Sequence, residues 1–434
     1  MPIARSLSRR GFLGGTGSVA LAATGLGSLT ACAGTGGGGA ASASSDKLSM
    51  FTYFDDDNAK LLNSALSDFK KKEGITVKQT TLPGSGAALF TDKLRTQLLG
   101  STPPDAFMLW GGQIAAPFVE SGQLVALDDY YTKYKWADEL NPSALGDMTF
   151  DGKKYGVPAQ VANVGAWYRT DLFEKAGAEV PKTYAEMEKA CAALKASGVV
   201  PLATAGVYGW DVMRLFEYLL ETTAGPDLHD KLLLGEASWK NSAVYDAFGL
   251  FKKWVDKKWV PDGFLGIKPD DADNYLLKGT GAFLITGQWE EVAINASGKD
   301  KSLFDVFVLP TDQSKLRMSG WTEGFFIAEA SPNKDNTAKL YDFLLTPGAQ
   351  RTFASFRTPV NGITADAKTF PLNTKWLEYG KKYEHYTIQD QAFPKDVADS
   401  YFEIQSDIAQ GKASAREAGA RMQDAVSTWK KGGS

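Results

Sequence analysis

The sequence predicts an α/β fold in which mixed sheets are flanked by helices. Three observations lead to this prediction. Short apolar segments typical of strands alternate with amphipathic helical segments, the sequence has no internal repeat, and the folded part spans about 390 of the 434 residues, which is too many for one core. At least two cores are therefore expected.

The alternation is clearest at the start of the folded part. Leu62, Leu66 and Phe69 recur at helical spacing, and Gly74 and Gly100 follow the last apolar positions of two helical segments. The patterns predict strands over 47–54, 75–82 and 106–110 and helices over 59–72 and 89–99. This β-α-β-α-β order favours a largely parallel sheet.

The same alternation continues to the end of the chain. Helices are predicted over 171–176, 184–197, 212–223, 243–258, 336–345, 397–410 and 415–430, and strands over 201–205, 281–285, 304–309 and 324–328. In such α/β architectures, ligands bind at the carboxyl ends of strands and between domains.

Charge and composition exclude several classes of function. The formal net charge is −4, with 44% hydrophobic and 23% charged residues, so a nucleic-acid partner is not expected. Histidine occurs only at His229 and His385, and we find no metal-ligand cluster, phosphate loop or Ser-His arrangement. We therefore expect no metal and no cofactor. Cys191 lies alone in a helical pattern, as a small buried residue without a disulfide.

Residues 1–31 are predicted to be a removable export signal. Ser8-Arg9-Arg10-Gly11-Phe12-Leu13 resembles the twin-arginine signature, a weakly apolar stretch follows, and Leu29-Thr30-Ala31-Cys32 resembles the bacterial lipobox. Cys32 would then carry the lipid. Loss of three arginines and no acids with this segment would change the net charge from −4 to −7. Residues 32–46 form a Gly/Ser-rich tether, so folding starts near residue 47.

Five longer motifs give the chain a resemblance to a known family. They are Pro104–Trp110, Gly122–Asp128, Gly152–Pro158 continuing to Arg169, Lys278–Phe283 with Gly287-Gln288-Trp289, and Gly320–Ile327 with Ser331-Pro332-Asn333-Lys334. In this order and spacing, behind a lipobox, they resemble the extracellular solute-binding proteins of carbohydrate ABC importers, the group related to maltose-binding protein. The likeness covers residues 47–430.

The resemblance implies a two-lobed, periplasmic-binding-protein-like fold of type II. Lobe 1 would comprise 47–160 plus 322–357, and lobe 2 would comprise 161–321 plus 358–434. The lobes would close by a hinge motion around a bound sugar, and the closed form would be recognised by the permease subunits. The protein would act as a monomer on the outer face of the bacterial cell membrane, held there only by the lipid at Cys32.

A sugar site needs two kinds of side chain. Carboxylates, amides and guanidinium groups bond the hydroxyls, and aromatic rings stack against the C–H faces. All 11 Trp lie after the export signal. The predicted ligand contacts are Tyr53, Asp55, Asp56, Trp110, Gln113, Trp210, Asp211, Trp289, Trp321, Glu323, Arg357 and Tyr401.

Alternative interpretations exist for several of these residues. Asp57 could be only a helix N-cap, Trp110 could belong to the core, and Arg357 could form a surface ion pair. Phe251, Trp254 and Trp259 are interpreted as core residues on one amphipathic helix and its end. Trp429 is expected to pack a last helix.

The sequence also allows functions other than sugar capture. An exported glycoside hydrolase could use Glu290-Glu291 or Asp55–Asp57, but adjacent acids on one segment do not place carboxylates on opposite sides of a bond. A non-sugar solute, or a role in sensing, would fit the same scaffold. We therefore predict a binding protein and not an enzyme, with an oligosaccharide favoured by the number of candidate rings.

Overall fold

The computed structural model describes residues 46–54, 56–83, 86–353, 357–363 and 367–432. The export signal, Cys32, most of the tether and Asp55 lie outside these residues, and only the backbone of Asp56 is described. Within the described part of the chain, no helix is both long enough and apolar enough to cross a membrane.

The strands form one mixed nine-stranded sheet and a small hairpin. In chain order they are β1 Lys47–Thr52, β2 Thr76–Thr81, β3 Ala106–Trp110, β4 Thr149–Phe150, β5 Lys153–Lys154, β6 Gly156–Arg169, β7 Val200–Ala203, β8 Gly281–Gly287, β9 Phe304–Phe307, β10 Arg317–Ile327 and β11 Glu384–Thr387. The main order is β2-β1-β3-β10-β6-β8-β7, with β11 paired to β10 and β9 to β6. The predicted strands at 47–54, 75–82, 106–110 and 281–285 are confirmed, with ends that differ by a few residues at most.

The sheet is less parallel than the sequence pattern predicts. β1 pairs in parallel with β2 and β3, as expected, and β7 with β8. However, β10 is antiparallel to both β3 and β6, and β6 is antiparallel to β8 and β9. The difference arises because β6 and β10 carry the chain across the sheet in opposite directions.

β6 and β10 are the two long strands that join the halves of the molecule. The first half of β6 pairs with the part of β10 that also contacts β3, whereas Val164–Tyr168 pairs with β8. A bulge interrupts the β6–β10 pairing between Glu323 and Gly324. A core around Leu62 and Tyr341 lies on one side of this crossing and a core around Trp167 lies on the other. The core that contains Trp254 also extends to Phe51 of β1 and Phe107 of β3.

The segment around residue 360, beyond the predicted lobe 1 boundary at residue 357, contacts lobe 1. Val360 forms a bridge with Leu140, and the Asn361 N–H donates to the Glu139 carbonyl. Val360 also packs in the core of the first lobe, whereas β11 pairs with the first residues of β10. We therefore propose that lobe 1 extends to residue 363 and that lobe 2 resumes after it. The other boundaries, near residues 160 and 321, remain as proposed.

Helices cover both faces of the sheet. They are α1 Asp56–Glu73, α2 Gly86–Leu98, α3 Ala116–Glu120, α4 Asp128–Tyr134, α5 Trp136–Glu139, α6 Pro142–Leu145, α7 Thr170–Ala176, α8 Tyr184–Ala196, α9 Trp210–Leu233, α10 Ser242–Asp256, α11 Pro269–Lys278, α12 Glu290–Ala296, α13 Lys334–Leu345, α14 Pro347–Phe353, α15 Pro371–Lys382, α16 Gln389–Ala392, α17 Lys395–Ala409 and α18 Ala415–Gly432. Every helix predicted from periodicity is present. α9 contains a break at Gly225, where the backbone leaves the helical region (φ 70°, ψ 169°) before Pro226, so its first helical part ends close to the predicted end and a second part follows.

Several predicted core residues are confirmed. Phe251, Trp254 and Trp259 are buried, and Cys191 is fully enclosed, which raises the pKa of its thiol well above the usual value. Trp429 packs on Phe393 with ring centroids 6.1 Å apart. Asp57, by contrast, lies inside the first turn of α1 and is not its N-cap.

Asp105 fixes the end of β3 that faces away from Trp110. Its carboxylate accepts hydrogen bonds from the backbone N–H and hydroxyl of Ser49, from the Ser331 hydroxyl and from the Asn333 amide, at 2.6–3.0 Å. These bonds tie β1 and β3 to the loop before α13. The Pro104–Trp110 motif thus has a structural end at Asp105, and only its other end approaches the lobe crossing.

Candidate functional site

A cavity of about 330 Å³ lies where the crossing strands meet the ends of β1, β3 and β8. We call it the central cavity. Eight of the twelve predicted ligand contacts line it: Tyr53, Trp110, Trp210, Asp211, Trp289, Trp321, Glu323 and Arg357. They come from both lobes and from the crossing itself, as a site between closing lobes requires. Their contact with a ligand stays a prediction.

The lobe 1 wall of the central cavity is aromatic. Tyr53 follows β1, and its ring stacks on Trp110 at the end of β3, with centroids 4.0 Å apart and planes 17° apart. Phe90 of α2 supports both rings edge-on, at 5.3 and 5.8 Å. Only 8% of Trp110 is exposed, so the core alternative is partly right: Trp110 packs in the core with most of its surface and lines the cavity with the rest.

A second pair of rings lies across the cavity. Trp289, just before α12, is tilted against Trp321 of β10, with centroids 5.5 Å apart. A Cβ atom at Gly287 would lie 2.0 Å from the Trp289 ring, so only glycine lets the ring fold back over the end of β8. The sequence Gly-Gln-Trp therefore sets where this ring points.

Glu323 sits between the aromatic walls in a hydrogen-bonded group. Its Oε1 accepts from the Trp321 indole at 3.0 Å and from the Arg357 guanidinium at 3.1 Å. The ion pair is buried, so the surface ion-pair alternative for Arg357 is wrong. Glu323 Oε2 has no hydrogen-bond partner among the described residues. Burial, followed by the nearby Glu323 charge, raises the pKa of the Tyr53 hydroxyl well above its usual value.

The lobe 2 end of the cavity is acidic. Asp211, in the first turn of α9, accepts from Arg214 one turn later at 2.7 Å. The Arg214 guanidinium lies over the rings of Trp210 and Trp289, at 4.5 and 5.3 Å from their centroids. Burial raises the pKa of Asp211 to about 7, although Arg214 acts in the opposite direction.

Three further carboxyl groups complete this acidic end. Asp273 of α11 and Asp390 of α16 line the cavity, and Glu290 of α12 is buried beside Asp273. Burial raises the pKa of Glu290 to about 7, with a further contribution from Asp211, and raises that of Asp390 to about 6. Burial and these neighbouring acids also raise the pKa of Asp273 well above its usual value. We call Asp211, Asp273, Glu290 and Asp390 the acidic cluster.

The sequence does not predict most of the acidic cluster. It suggests Glu290 only as a possible hydrolase acid, and it does not identify Arg214, Asp273 or Asp390 as site residues. The spacing of Asp211 and Arg214, three residues apart at a helix start, was the one local signal. The other members come from segments that are remote in sequence.

Two predicted contacts lie away from the central cavity. Tyr401 is fully buried between α9 and α10, with its ring 5.6 Å from Phe216 and 6.0 Å from Trp239. It therefore belongs to the core of lobe 2, and its assignment as a contact is withdrawn. Gln113 lines a neighbouring groove that shares Trp210 with the cavity. Asp55 lies outside the described residues, and the side chain of Asp56 is not described.

The fold and cavity define a class. Two α/β lobes joined by crossing strands, with a polar and aromatic cavity between them, are the architecture of a solute-binding protein. Comparison with known proteins agrees: the chain belongs to the bacterial extracellular solute-binding protein family, whose model matches residues 53–351.

Individual relatives match most of the chain. An ABC transporter extracellular-binding protein of Pyrococcus horikoshii is 25% identical over 362 residues, which cover 79% of this chain and 74% of the relative. A "probable sugar-binding periplasmic protein" of Mesorhizobium japonicum is also 25% identical, over 82% of this chain and 86% of its own. A solved chitin oligosaccharide binding protein superposes with a TM-score of 0.79 at 24% identity, covering 88% of this chain and 98% of its own.

The raised pKa of Glu290 predicts a pH-dependent loss of stability. The folded protein keeps this proton up to about pH 7, whereas an unfolded glutamate loses it near pH 4.3. Between these pH values the folded state therefore holds a proton that the unfolded state has lost. The contribution of Glu290 to the free energy of unfolding falls as the pH rises from 4 to 8. Glu290→Gln should remove that loss and raise the free energy of unfolding at pH 8, relative to pH 5, by on the order of 2 kcal/mol.

Urea unfolding at pH 5 and pH 8, followed by circular dichroism, measures this difference. Glu120→Gln is the matched control, because Glu120 is exposed on α3 and should leave the pH dependence unchanged. If Glu290→Gln and the unmodified protein lose stability in parallel between the two pH values, Glu290 is not the buried acid described.

Proposed function

We propose that the protein captures a sugar, an oligosaccharide in preference to a monosaccharide, in the central cavity and delivers it to the permease of an ABC importer. The observation that carries the proposal is the pairing of flat rings with charged hydrogen-bonding groups. Trp289 and Trp321 lie beside Glu323 and Arg357. The named sugar-binding relative supports this proposal.

The two kinds of group would act on different surfaces of a sugar ring. Trp289 and Trp321 offer apolar faces for the C–H side of a pyranose, which removes apolar area from water. Glu323 Oε2, which is buried and still able to accept, would take a hydrogen bond from a hydroxyl on the ring edge. Leaving that oxygen unbonded costs about 1–3 kcal/mol, so a hydroxyl that reaches it is favoured over an apolar group.

Closure would couple capture to delivery. The cavity receives Tyr53 and Trp110 from lobe 1 and Trp210 and Asp211 from lobe 2, so a ligand can contact both lobes at once. A ligand shifts the hinge equilibrium only by its greater affinity for the closed form, and contact with both lobes supplies that difference. The permease would then recognise the closed arrangement.

Binding without hydrolysis fits the placement of the acids. The family is one of binding proteins. A glycosidase places two carboxyl groups about 5–10 Å apart on either side of the bond it cleaves. Here Glu290 is buried against Asp273, and Glu323 already accepts from Trp321 and Arg357, so neither acid is free to flank a bond.

We further propose that the mature protein is held on the outer face of the cell membrane through a lipid at Cys32. The support is the order of three signals in the sequence: the twin arginines Arg9 and Arg10, an apolar stretch, and the lipobox that ends at Cys32. The tether of residues 32–46 would keep the binding lobes close to the permease, which raises their effective concentration there.

Trp289→Ala should abolish most sugar binding without unfolding the protein, because it removes a stacking face and leaves the hydrogen-bonding groups. In a thermal-shift screen of chito-, xylo- and malto-oligosaccharides, a ligand at 100 times its Kd stabilises by about 2.7 kcal/mol. For the variant we expect a Kd that is weaker by about a hundredfold, so that the same ligand concentration stabilises by only about 0.4 kcal/mol and most of the shift is lost.

Trp429→Ala is the matched control, because Trp429 is also a half-buried tryptophan but packs on Phe393, outside the central cavity. It should keep the ligand-induced shift. Unaltered binding by Trp289→Ala would remove Trp289 from the site. If no sugar shifts the melting temperature while another class of solute does, the proposed ligand class is wrong.

Cys32→Ser should release the protein from the membrane, since the serine hydroxyl cannot form the thioether that carries the lipid. Detergent-phase partition of cell extracts measures this release, and the variant should move to the aqueous phase. Cys191→Ala changes the buried cysteine and should leave the protein in the detergent phase. Retention of Cys32→Ser in the detergent phase would contradict a lipid at this position.

A further inference from the structure

The lobe 2 end of the central cavity has more negative than positive groups. The acidic cluster brings four carboxyl groups from α9, α11, α12 and α16 around a single guanidinium, that of Arg214. Asp211 already holds Arg214 at 2.7 Å. Four ionised acids beside one guanidinium would repel one another, so either bound protons or a further positive charge must offset them.

The other charged groups that line the cavity do not supply it. Lys268 and Asp270 have opposite charges and are both exposed to solvent at the start of α11. Arg357 is bonded to Glu323 beside the crossing strands. At the acidic cluster itself, Glu290 is 1% exposed and its side chain lies against the Asp273 carboxyl group, whereas the buried Oδ1 atom of Asp390 has no hydrogen-bond partner among the described residues.

A bound metal ion does not fit the arrangement. Across the described residues, no group of three or more His, Cys, Asp or Glu side chains is placed to hold a metal. The neighbouring rings favour an organic cation instead. Trp210 and Trp289 border the acidic cluster and already contact the guanidinium of Arg214 through their faces.

We propose that the sugar taken by this cavity carries an amino group, with its ammonium against Asp273 and Asp390 and its ring against Trp289. This inference rests on the proposed function and names the class of sugar. The ammonium would donate hydrogen bonds to these two carboxylates, and charged bonds of this kind are the stronger ones. A neutral sugar would leave the acidic cluster partly protonated near neutral pH.

Protonation of the acidic cluster supports the proposal and gives it a second readout. Burial raises the pKa of Asp211 and Glu290 to about 7 and that of Asp390 to about 6, so the free protein holds protons there near neutral pH. An ammonium favours the ionised carboxylates, so its binding should release protons. Affinity should fall as the pH drops from 7 to 5, because protonation removes the charge that the ammonium contacts.

Isothermal titration calorimetry on the mature protein tests the proposal with ligands that differ at one substituent. Glucosamine, galactosamine and the β-1,4-linked glucosamine dimer to tetramer are compared with their hydroxyl and N-acetyl counterparts at pH 5, 6 and 7. We expect the amino form of at least one series to bind at least tenfold more tightly than both counterparts at pH 7. Buffers of different ionisation enthalpy should show release of about half a proton or more per ligand at pH 6.5.

Asp273→Asn and Asp390→Asn should each reduce the preference for the amino form at least fivefold, since each removes one negative charge from the cluster. Asp246→Asn is the matched control: Asp246 is exposed on α10, away from the cavity, and its replacement should keep the preference. The proton release and pH dependence of the unmodified protein test the same claim if a cluster variant fails to fold.

The outcomes separate the two proposals. Equal or tighter binding of the neutral counterparts overturns the amino-sugar inference and leaves sugar capture standing. Tighter binding of amino sugars without proton release also overturns it, because the ammonium would then lie elsewhere. If spermidine, titrated in parallel as an amine that is not a sugar, binds and no sugar does, both proposals fail. If none of these ligands binds while another neutral oligosaccharide does, only the inference is lost.

Discussion

The antiparallel contact between β6 and β10 is the constraint on which the rest of the structure depends. These two strands run from one lobe into the other, and a Cβ atom at Gly320 would lie 2.5 Å from the Ala162 carbonyl oxygen, so the strands approach closely where they cross. The Asn163 N–H donates to the Gln288 side chain at 2.8 Å, which fixes the segment before Trp289 to the crossing. The β6–β10 crossing therefore positions both the hinge and the Trp289 ring that lies over it.

The central cavity takes its character from where each element ends around this crossing. Near β10, Trp321, Glu323 and Arg357 form a compact group whose charges balance, with one carboxylate oxygen left to accept. Near α9, Arg214 faces an excess of carboxyl groups. A ligand that spans both ends would stack on rings and bond through its hydroxyl groups near β10. Near α9, a positive group of the ligand would contact the carboxyl groups. This asymmetry would orient it in the cavity.

Sequence periodicity predicted the local elements well and the long-range ones poorly. α10 carries apolar residues at helical spacing, and β3 is a short apolar run introduced by Pro103-Pro104 and ended by Gly111. β6 is buried along nearly all its length, so it lacks the alternation that marks a half-exposed strand, and it was foreseen only as a crossover. Tyr401 was misplaced because helical spacing does not say which face meets the core. The acidic cluster is assembled from four separate segments, and no local pattern contains that information.

The central claim is that a sugar closes the two lobes around the central cavity. Small-angle X-ray scattering of the mature protein, with and without a saturating sugar from the binding screen, tests it most directly. The account predicts a smaller radius of gyration and a shorter maximum dimension when the sugar is bound, because the lobes rotate toward each other about the crossing strands. Saturated binding with unchanged scattering would contradict closure and, with it, the coupling of capture to delivery.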